Sequence, residues 1–128
     1  MASWDELRET MRQSYKLQQD EADLVSMVWT YDDGRHQKVI LRHYKAFDRS
    51  LVEFQSAFAR IEDLNPTEAL RKNAELPLGT IALQGEVYVV LYNAVLDDLG
   101  PGSLELYLSR VAGIADQLEE TYGRKDVF

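Results

Sequence analysis

Cysteine is absent from this 128-residue sequence, and histidine occurs only twice. A chain without cysteine has no disulfide framework, no thiol nucleophile, no iron–sulfur cluster and no cysteine zinc site. The histidines, His36 and His43, lie seven positions apart on one predicted strand. Their side chains are therefore expected on opposite faces, where they do not share a metal ion. The sequence predicts no metal and no cofactor.

Basic residues are in the minority. The chain has 14 Lys and Arg against 22 Asp and Glu, which gives a formal net charge of −8. A nucleic-acid binder needs clustered basic residues to neutralise phosphates, so this class is not expected. The 45% hydrophobic content is ample for a packed core and excludes wholesale disorder. The length predicts a single domain over residues 1–128.

Long apolar runs are also lacking. The most apolar run, Val87 to Leu96, is about half as long as a helix that spans a bilayer. The first residues, Met1 to Glu6, are acidic and polar, without the basic and apolar regions of a secretory signal. We therefore expect a cytoplasmic protein that does not enter a membrane.

Capping residues and apolar spacing predict three helices. Ser3, Asn65 and Ser103 are residue types that cap a helix N-terminus, and a Glu follows each of them within three positions. After Ser103, apolar residues recur at spacings of three and four as far as Tyr122, which predicts one long amphipathic helix. Gly123 is placed to end it.

Runs of β-branched and aromatic residues predict five strands. They cover residues 24–31, 37–44, 51–58, 80–83 and 86–95. Asp33-Gly34 suits a two-residue turn between the first two strands, because both positions of such a turn take positive φ. A second hairpin is expected to turn at Gln84-Gly85. The order α-β-β-β-α-β-β-α predicts an α+β domain with helices packed on an antiparallel sheet.

Both faces of this predicted sheet carry apolar side chains. With the two-residue turn, Met27 lies opposite Ile40 on one face and Val28 lies opposite Val39 on the other. Three helices cover one face, so the second face needs a homodimer mate or a bound chain, unless the small helix and the chain ends cover it. Aromatic residues are common in interface cores. The candidate protein-binding residues are Met27, Trp29, Tyr31, Ile40, Tyr88, Val90 and Tyr92.

Catalytic motifs are scarce. Asp97 and Asp98 form a carboxylate pair that suits acid–base work, but they directly precede Gly100-Pro101-Gly102, where Asp is an ordinary turn residue. The sequence has no nucleophile elbow, P-loop, dinucleotide fingerprint or metalloprotease helix motif. It therefore predicts no enzyme. An enzyme that uses Asp97, Asp98 or His43 is the third hypothesis and requires these groups to converge in a cleft.

Three segments resemble the type III secretion chaperone-like superfamily, including its YbjN-like branch. They are VWTYDDGRxQxV at 28–39, ALxxNAxLPLG at 69–79 and VAxIADxLE at 111–119. The resemblance extends from about residue 24 to residue 122. It implies the α+β chaperone-like fold and a small acidic cytosolic protein without a catalytic constellation. It also implies a homodimer that holds a polypeptide client in extended form over apolar patches.

Two functional hypotheses of different classes follow. The first is a non-enzymatic, chaperone-like protein-binding module, which fits both the resemblance and the surplus of apolar residues. The alternative is a small regulatory or ligand-sensing domain with a pocket between the sheet and the long helix. The strong negative charge suits the first hypothesis, because charge keeps a protein with exposed apolar surface in solution.

Overall fold

A computed structural model describes residues 1–123 and residue 128. The helices and strands are, in chain order, α1 (Trp4–Ser14), β1 (Leu17–Glu21), β2 (Leu24–Thr30), β3 (His36–Ala46), β4 (Arg49–Arg60), α2 (Pro66–Asn73), β5 (Thr80–Gln84), β6 (Val87–Val95) and α3 (Pro101–Tyr122). Short 3-10 turns at Ile61–Asp63 and Leu96–Asp98 follow β4 and β6.

The described strands form one antiparallel sheet in the order β1-β2-β3-β4-β6-β5. The predicted α+β class is confirmed, and the predicted strands all form. The sheet has one strand more than predicted, because β1 pairs with β2 at the edge. Its sequence, LQQDE, is almost entirely polar and lacks the apolar alternation of a half-buried strand. Polar composition is common in edge strands, which need a partner on one side only.

The predicted register of the first hairpin is wrong by one residue. Met27 pairs with Val39, and Ile40 pairs with Ser26. The connection is longer than the expected two residues: the Tyr31 N–H donates to the Arg35 carbonyl, which leaves residues 32–34 as the loop. Gly34 takes a φ of +87°, whereas neither of the two Asp residues before it has positive φ. Three-residue loops of this kind shift the pairing by one residue, and a shift of one residue moves each side chain to the other face.

Helices α1 and α3 cover one face of the sheet, which we call the covered face. Leu7 and Met11 of α1 are fully buried there. Helix α3 contributes a buried stripe, as its spacing predicts: Leu104, Leu108, Val111, Ala112, Ala115 and Leu118. The strands supply the facing residues of the core, with Val39, Leu41 and Phe54 fully buried. The second face, which we call the open face, carries the side chains that alternate with these.

Helix α2 protects the outer edge of β5. The Asn73 side chain accepts a hydrogen bond from the Ile81 N–H at 2.5 Å and donates to the Ile81 carbonyl at 3.2 Å. This pairing satisfies edge groups that would otherwise recruit another strand. Gly79, just before β5, takes a φ of +77°, and a Cβ at this position would lie 2.8 Å from the Leu91 carbonyl oxygen. The loop between α2 and β5 therefore requires glycine here.

Two of the three predicted N-terminal caps form in the structure. Ser3 accepts a hydrogen bond from the Glu6 N–H, and Asn65 accepts one from the Thr67 N–H, so both caps are confirmed. Ser103 does not cap α3. The cap is Gly100, and the Ser103 hydroxyl bonds back to the Gly100 N–H at 2.9 Å. The second hairpin also differs slightly, since Gln84 belongs to β5 and the turn follows it.

Candidate protein-binding surface

A row of paired residues crosses the middle of the open face. Ser26, Ile40, Gln55, Leu91 and Thr80 are successive partners across β2, β3, β4, β6 and β5. Ile40 and Leu91 are both half-buried. Because α1 and α3 pack on the covered face, these two aliphatic side chains lie on the opposite side of the sheet, with Gln55 between them, and make that side partly apolar.

The apolar surface continues toward one end of the open face. Val28 and Lys38 pair across β2 and β3, and Val89 pairs with both Ala57 and Ala82. Val89 is only 2% exposed but does not belong to the core cluster, which agrees with its position on the open face. Apart from Lys38, the residues named at this end have small or branched apolar side chains.

The other end of the open face is polar, and its groups satisfy one another. Arg42 lies 3.2 Å from the Glu53 carboxylate, and its guanidinium sits 4.7 Å from the ring centre of Tyr44. The Tyr44 hydroxyl donates to Asn93 at 2.6 Å. These contacts use most of the polar groups at this end, so the apolar end is the better candidate for binding a chain.

The predicted interface residues fall mostly on the covered face. Met27, Tyr88 and Val90 are buried in the core cluster. Trp29 and Tyr92 are half-buried and pack against that cluster. Their rings contact Tyr15 at 6.1 Å and Tyr107 at 4.6 Å, respectively, measured between ring centres.

Among the seven predicted interface residues, Ile40 is the one on the open face. The two-residue register groups Met27, Trp29 and Tyr31 with it, and the three-residue loop corrects this grouping. Val28 and Leu91 also lie on the open face but are not among the predicted residues. Leu91 was detectable from alternation along β6, since its neighbours Tyr88, Val90 and Tyr92 face the other way. A binding role for the predicted set stays a prediction.

Tyr31 lies at the end of β2, and its hydroxyl is buried without a hydrogen-bond partner among the described residues. Burial, together with the nearby Asp116 carboxylate, raises the pKa of Tyr31 to about 12. The phenol is thus held neutral in the folded chain well above its ordinary pKa. A buried hydroxyl that makes no hydrogen bond is destabilising relative to an apolar group of the same shape.

We expect the free energy of unfolding to fall as the pH rises above about 10, the ordinary pKa of tyrosine. The unfolded chain loses the Tyr31 proton in this range, whereas the folded chain retains it until about pH 12. Stability is therefore fully present below pH 10 and is lost as the pH approaches 12. In Tyr31→Phe, urea melts should show a shallower alkaline loss and equal or higher stability at pH 7. An alkaline slope identical to that of the wild type would contradict this assignment.

Arg35, just after the loop, joins the first hairpin to α3. Its Nε lies 3.0 Å from Asp116 Oδ1, and its Nη2 lies 3.6 Å from Glu119 Oε1. Glu119 is 1% exposed, so its carboxylate depends on such partners. This buried cluster fixes the end of α3 against β3, which also positions the groups described next.

A gap separates β3 from β4 at one end of the sheet. The two strands pair from Ile40 and Gln55 to Ala46 and Arg49, but residues 36–39 pair with β2 only. We call the space between residues 36–39 and 56–60 the wedge. The pairing of β4 with β6 is irregular at Ala57–Ala59, next to this space.

Polar side chains line the covered side of the wedge. Gln37, fully buried, donates to Ser56 Oγ at 2.9 Å and to the Ala57 carbonyl. Ser56 Oγ in turn donates to the Lys38 carbonyl at 2.6 Å. Gln37 Oε1 is buried and accepts no hydrogen bond from the described residues.

Phe128 occupies the wedge. Its carbonyl oxygen accepts a hydrogen bond from the Lys38 N–H at 2.8 Å, and its N–H donates to Glu119 Oε2 at 3.1 Å. On the open face a cavity of about 150 Å³ lies beside it, lined by Lys38, Ile40, Gln55, Ala57 and Phe128. Phe128, about ninety positions after Lys38, thus supplies the hydrogen-bond partner that β4 does not provide at this end of β3.

His43 lies on the covered face at the far end of the sheet, between an acid and a hydroxyl. Its Nδ1 is 3.1 Å from Asp23 Oδ1, and its Nε2 is 3.1 Å from Ser50 Oγ. The ring stacks on Trp4 at 5.4 Å. Asp23, His43 and Ser50 follow the acid–histidine–hydroxyl order of a hydrolase triad. In such a triad the acid is buried, whereas the Asp23 side chain is 71% exposed. The contacts join the start of α1 to two strand ends, which is a structural role.

The predicted carboxylate pair is not part of the cluster formed by Asp23, His43 and Ser50. Asp97 and Asp98 are exposed in the 3-10 turn before α3. Over residues 1–123 and 128, no group of three or more His, Asp or Glu side chains is placed to hold a metal ion. In the same part of the chain, no helix combines the length and apolarity needed to cross a membrane.

The ligand-sensing alternative predicts a pocket between the sheet and α3. In the structure that space is occupied by fully buried side chains, among them Leu108 and Phe54. A cleft of about 660 Å³ lies elsewhere, between α2 and the end of α3. Its lining is largely charged and includes Glu68, Arg71, Lys72 and Glu75.

Comparison with known proteins supports the fold. No family model matches the sequence, and no curated protein matches it. A chain from the solved structure of the HopA1–SchA chaperone–effector complex matches with a TM-score of 0.64 and 12% identity. The match covers 89% of this chain and 90% of that one. The chain has the type III secretion chaperone-like fold.

Proposed function

We propose that the protein is a non-enzymatic, chaperone-like protein-binding module that holds an extended polypeptide against the apolar end of the open face. The observation that carries the proposal is the set of half-buried aliphatic side chains Val28, Ile40 and Leu91, on the side of the sheet opposite α1 and α3. The fold, shared with a chain of a chaperone–effector complex, supports it. Membership of the YbjN-like branch and a cytoplasmic location belong to the same proposal.

The chemistry of the surface suggests what kind of polypeptide it binds. An extended chain places alternate side chains on one side, so apolar residues at every second position would lie on the aliphatic surface. The chain carries a net charge of −8, which favours a client with basic residues between the apolar ones. We therefore expect clients with alternating aliphatic and basic residues to bind best.

The test uses a fluorescein-labelled dodecapeptide of alternating Val and Lys, titrated with the full chain and followed by anisotropy. The double variant Ile40→Asn and Leu91→Asn should weaken binding by about tenfold or more, because it removes the aliphatic contact. The matched control is Leu106→Asn on α3, since Leu106 is an exposed leucine away from the sheet. Its affinity should stay within about twofold of the wild type. Equal losses in both variants would contradict the proposal.

We further propose that the protein is a homodimer. A second copy would cover exposed apolar residues such as Leu70, which is 71% exposed on α2. Sedimentation velocity at micromolar concentration tests this, and a monomer throughout that range would contradict it. The dimer and the peptide site are measured separately, so either result leaves the other open to test.

A further inference from the structure

We propose that the wedge between β3 and β4 is an anchoring site for one aromatic or large apolar residue of an extended client, and that Phe128 occupies it in the unliganded chain. The inference deepens the proposed function, on which it rests, by locating where a bound segment is fixed. Four features of the wedge support it.

The first feature is the unused strand edge. Lys38 faces the wedge, and its N–H is satisfied by Phe128 rather than by β4. An extended chain that enters the wedge can accept this hydrogen bond with any of its carbonyl groups. Addition of a chain to an exposed strand edge is a recurring way to bind peptides, with the main chain giving affinity and pockets giving specificity.

The second feature is the acceptor for the N–H of the entering residue. Glu119 Oε2 lies 3.1 Å from the Phe128 nitrogen, and its carboxylate is held in place by Arg35. A carboxylate accepts an amide hydrogen bond more strongly than a neutral oxygen does. The wedge thus binds both polar groups of one peptide residue.

The third feature is a further acceptor at the base of the wedge. Gln37 Oε1 is buried and has no hydrogen-bond partner among the described residues. Buried acceptors without a partner are rare in folded proteins. Phe128 does not donate a hydrogen bond to this oxygen. A longer bound segment could place an N–H group there.

The fourth feature is the room beside the aromatic side chain. The cavity of about 150 Å³ is lined by Ile40 and Ala57 as well as by Phe128 itself. It is open to the apolar end of the open face, because Ile40 belongs to both. A segment anchored in the wedge can therefore continue across the proposed binding surface without a break.

The test asks whether Phe128 competes with an added peptide. The probe is the fluorescein-labelled hexapeptide GRKDVF, which copies residues 123–128. A tethered residue acts at an effective concentration in the millimolar range, so the wild type should bind the probe weakly. The full chain with Phe128→Ala should bind it about tenfold more tightly or better. Equal affinities for the wild type and Phe128→Ala would overturn the proposal.

A second pair of variants locates the site. In the Phe128→Ala background, Ala57→Leu fills the cavity and should abolish binding of the hexapeptide. Ala46→Leu is the matched control, because Ala46 is a half-buried residue at the opposite end of β3, away from the wedge and from the apolar end of the open face. It should leave the affinity unchanged. Retention of affinity by Ala57→Leu would overturn the proposed location.

Hydrogen exchange provides a readout that does not depend on a peptide. In Phe128→Ala the Lys38 amide should exchange about tenfold faster or more, whereas the amides of the β3–β4 ladder should not change. Protection of Lys38 equal to that in the wild type would overturn the proposal. If the Val/Lys dodecapeptide binds and the hexapeptide does not, the wedge proposal alone fails. If the hexapeptide binds and the dodecapeptide does not, the open-face function fails instead.

Discussion

Leu41→Asp is expected to unfold the protein, whereas Ile40→Asp, one position earlier on the same strand, is expected to leave it folded. Leu41 is fully buried, and its partners across the sheet are Val25 and Phe54, which are also fully buried. A carboxylate placed there either loses its hydration or takes up a proton, at a cost of several kcal/mol. A domain has a stability of about 5–15 kcal/mol, so a loss of about 6 kcal/mol leaves little folded protein when the stability is at the low end of this range.

The cost at Ile40 is much smaller, because its side chain is half-buried on the open face and a carboxylate there remains in contact with water. We expect a loss of about 1 kcal/mol. Urea denaturation followed by circular dichroism measures both variants. If Ile40→Asp unfolded the chain as Leu41→Asp does, the open face would have to be covered. If Ile40→Asp were the more damaging change, Ile40 rather than Leu41 would have to face the core.

Arg35→Leu is expected to lower the free energy of unfolding by about 3–5 kcal/mol. The substitution leaves Glu119, which is 1% exposed, and Asp116 without the guanidinium that lies between them. A buried carboxylate that loses its cation is far more costly than the pair itself is favourable. The same variant loosens the end of α3, so Phe128 should lose its place in the wedge as well.

Two further variants separate this effect from a simple loss of charge. Arg12→Leu removes an exposed arginine from the pair with Asp20, and the expected loss of stability is much smaller than in Arg35→Leu. Adding Glu119→Gln to Arg35→Leu removes the buried negative charge and should recover part of the lost stability. Thermal or urea denaturation at pH 7 measures all three. A loss in Arg35→Leu no larger than that in Arg12→Leu would show that Glu119 does not depend on Arg35.

The sequence on its own determined the features that depend on neighbouring residues. Ser3 and Asn65 cap their helices by bonding to N–H groups two or three positions away, and such local bonds can be read from residue type and spacing. The apolar stripe of α3 is local in the same sense, because its period is that of one helix. These elements are sufficient to predict the α+β class, and the resemblance in the loop and helix motifs predicted the chaperone-like fold.

The tertiary structure alone decided which residues are available to a partner. The first hairpin shows why: Asp33-Gly34 is compatible with a two-residue turn and with the three-residue loop that forms, and only packing of the strands distinguishes the two. One residue of difference moved Met27 into the core and left Ile40 on the open face. The wedge is still less local, since Phe128 meets Lys38 and Glu119 from three separate parts of the chain. Patterns within short windows determine elements, but the choice of exposed face and the contacts between distant segments depend on how the whole chain packs.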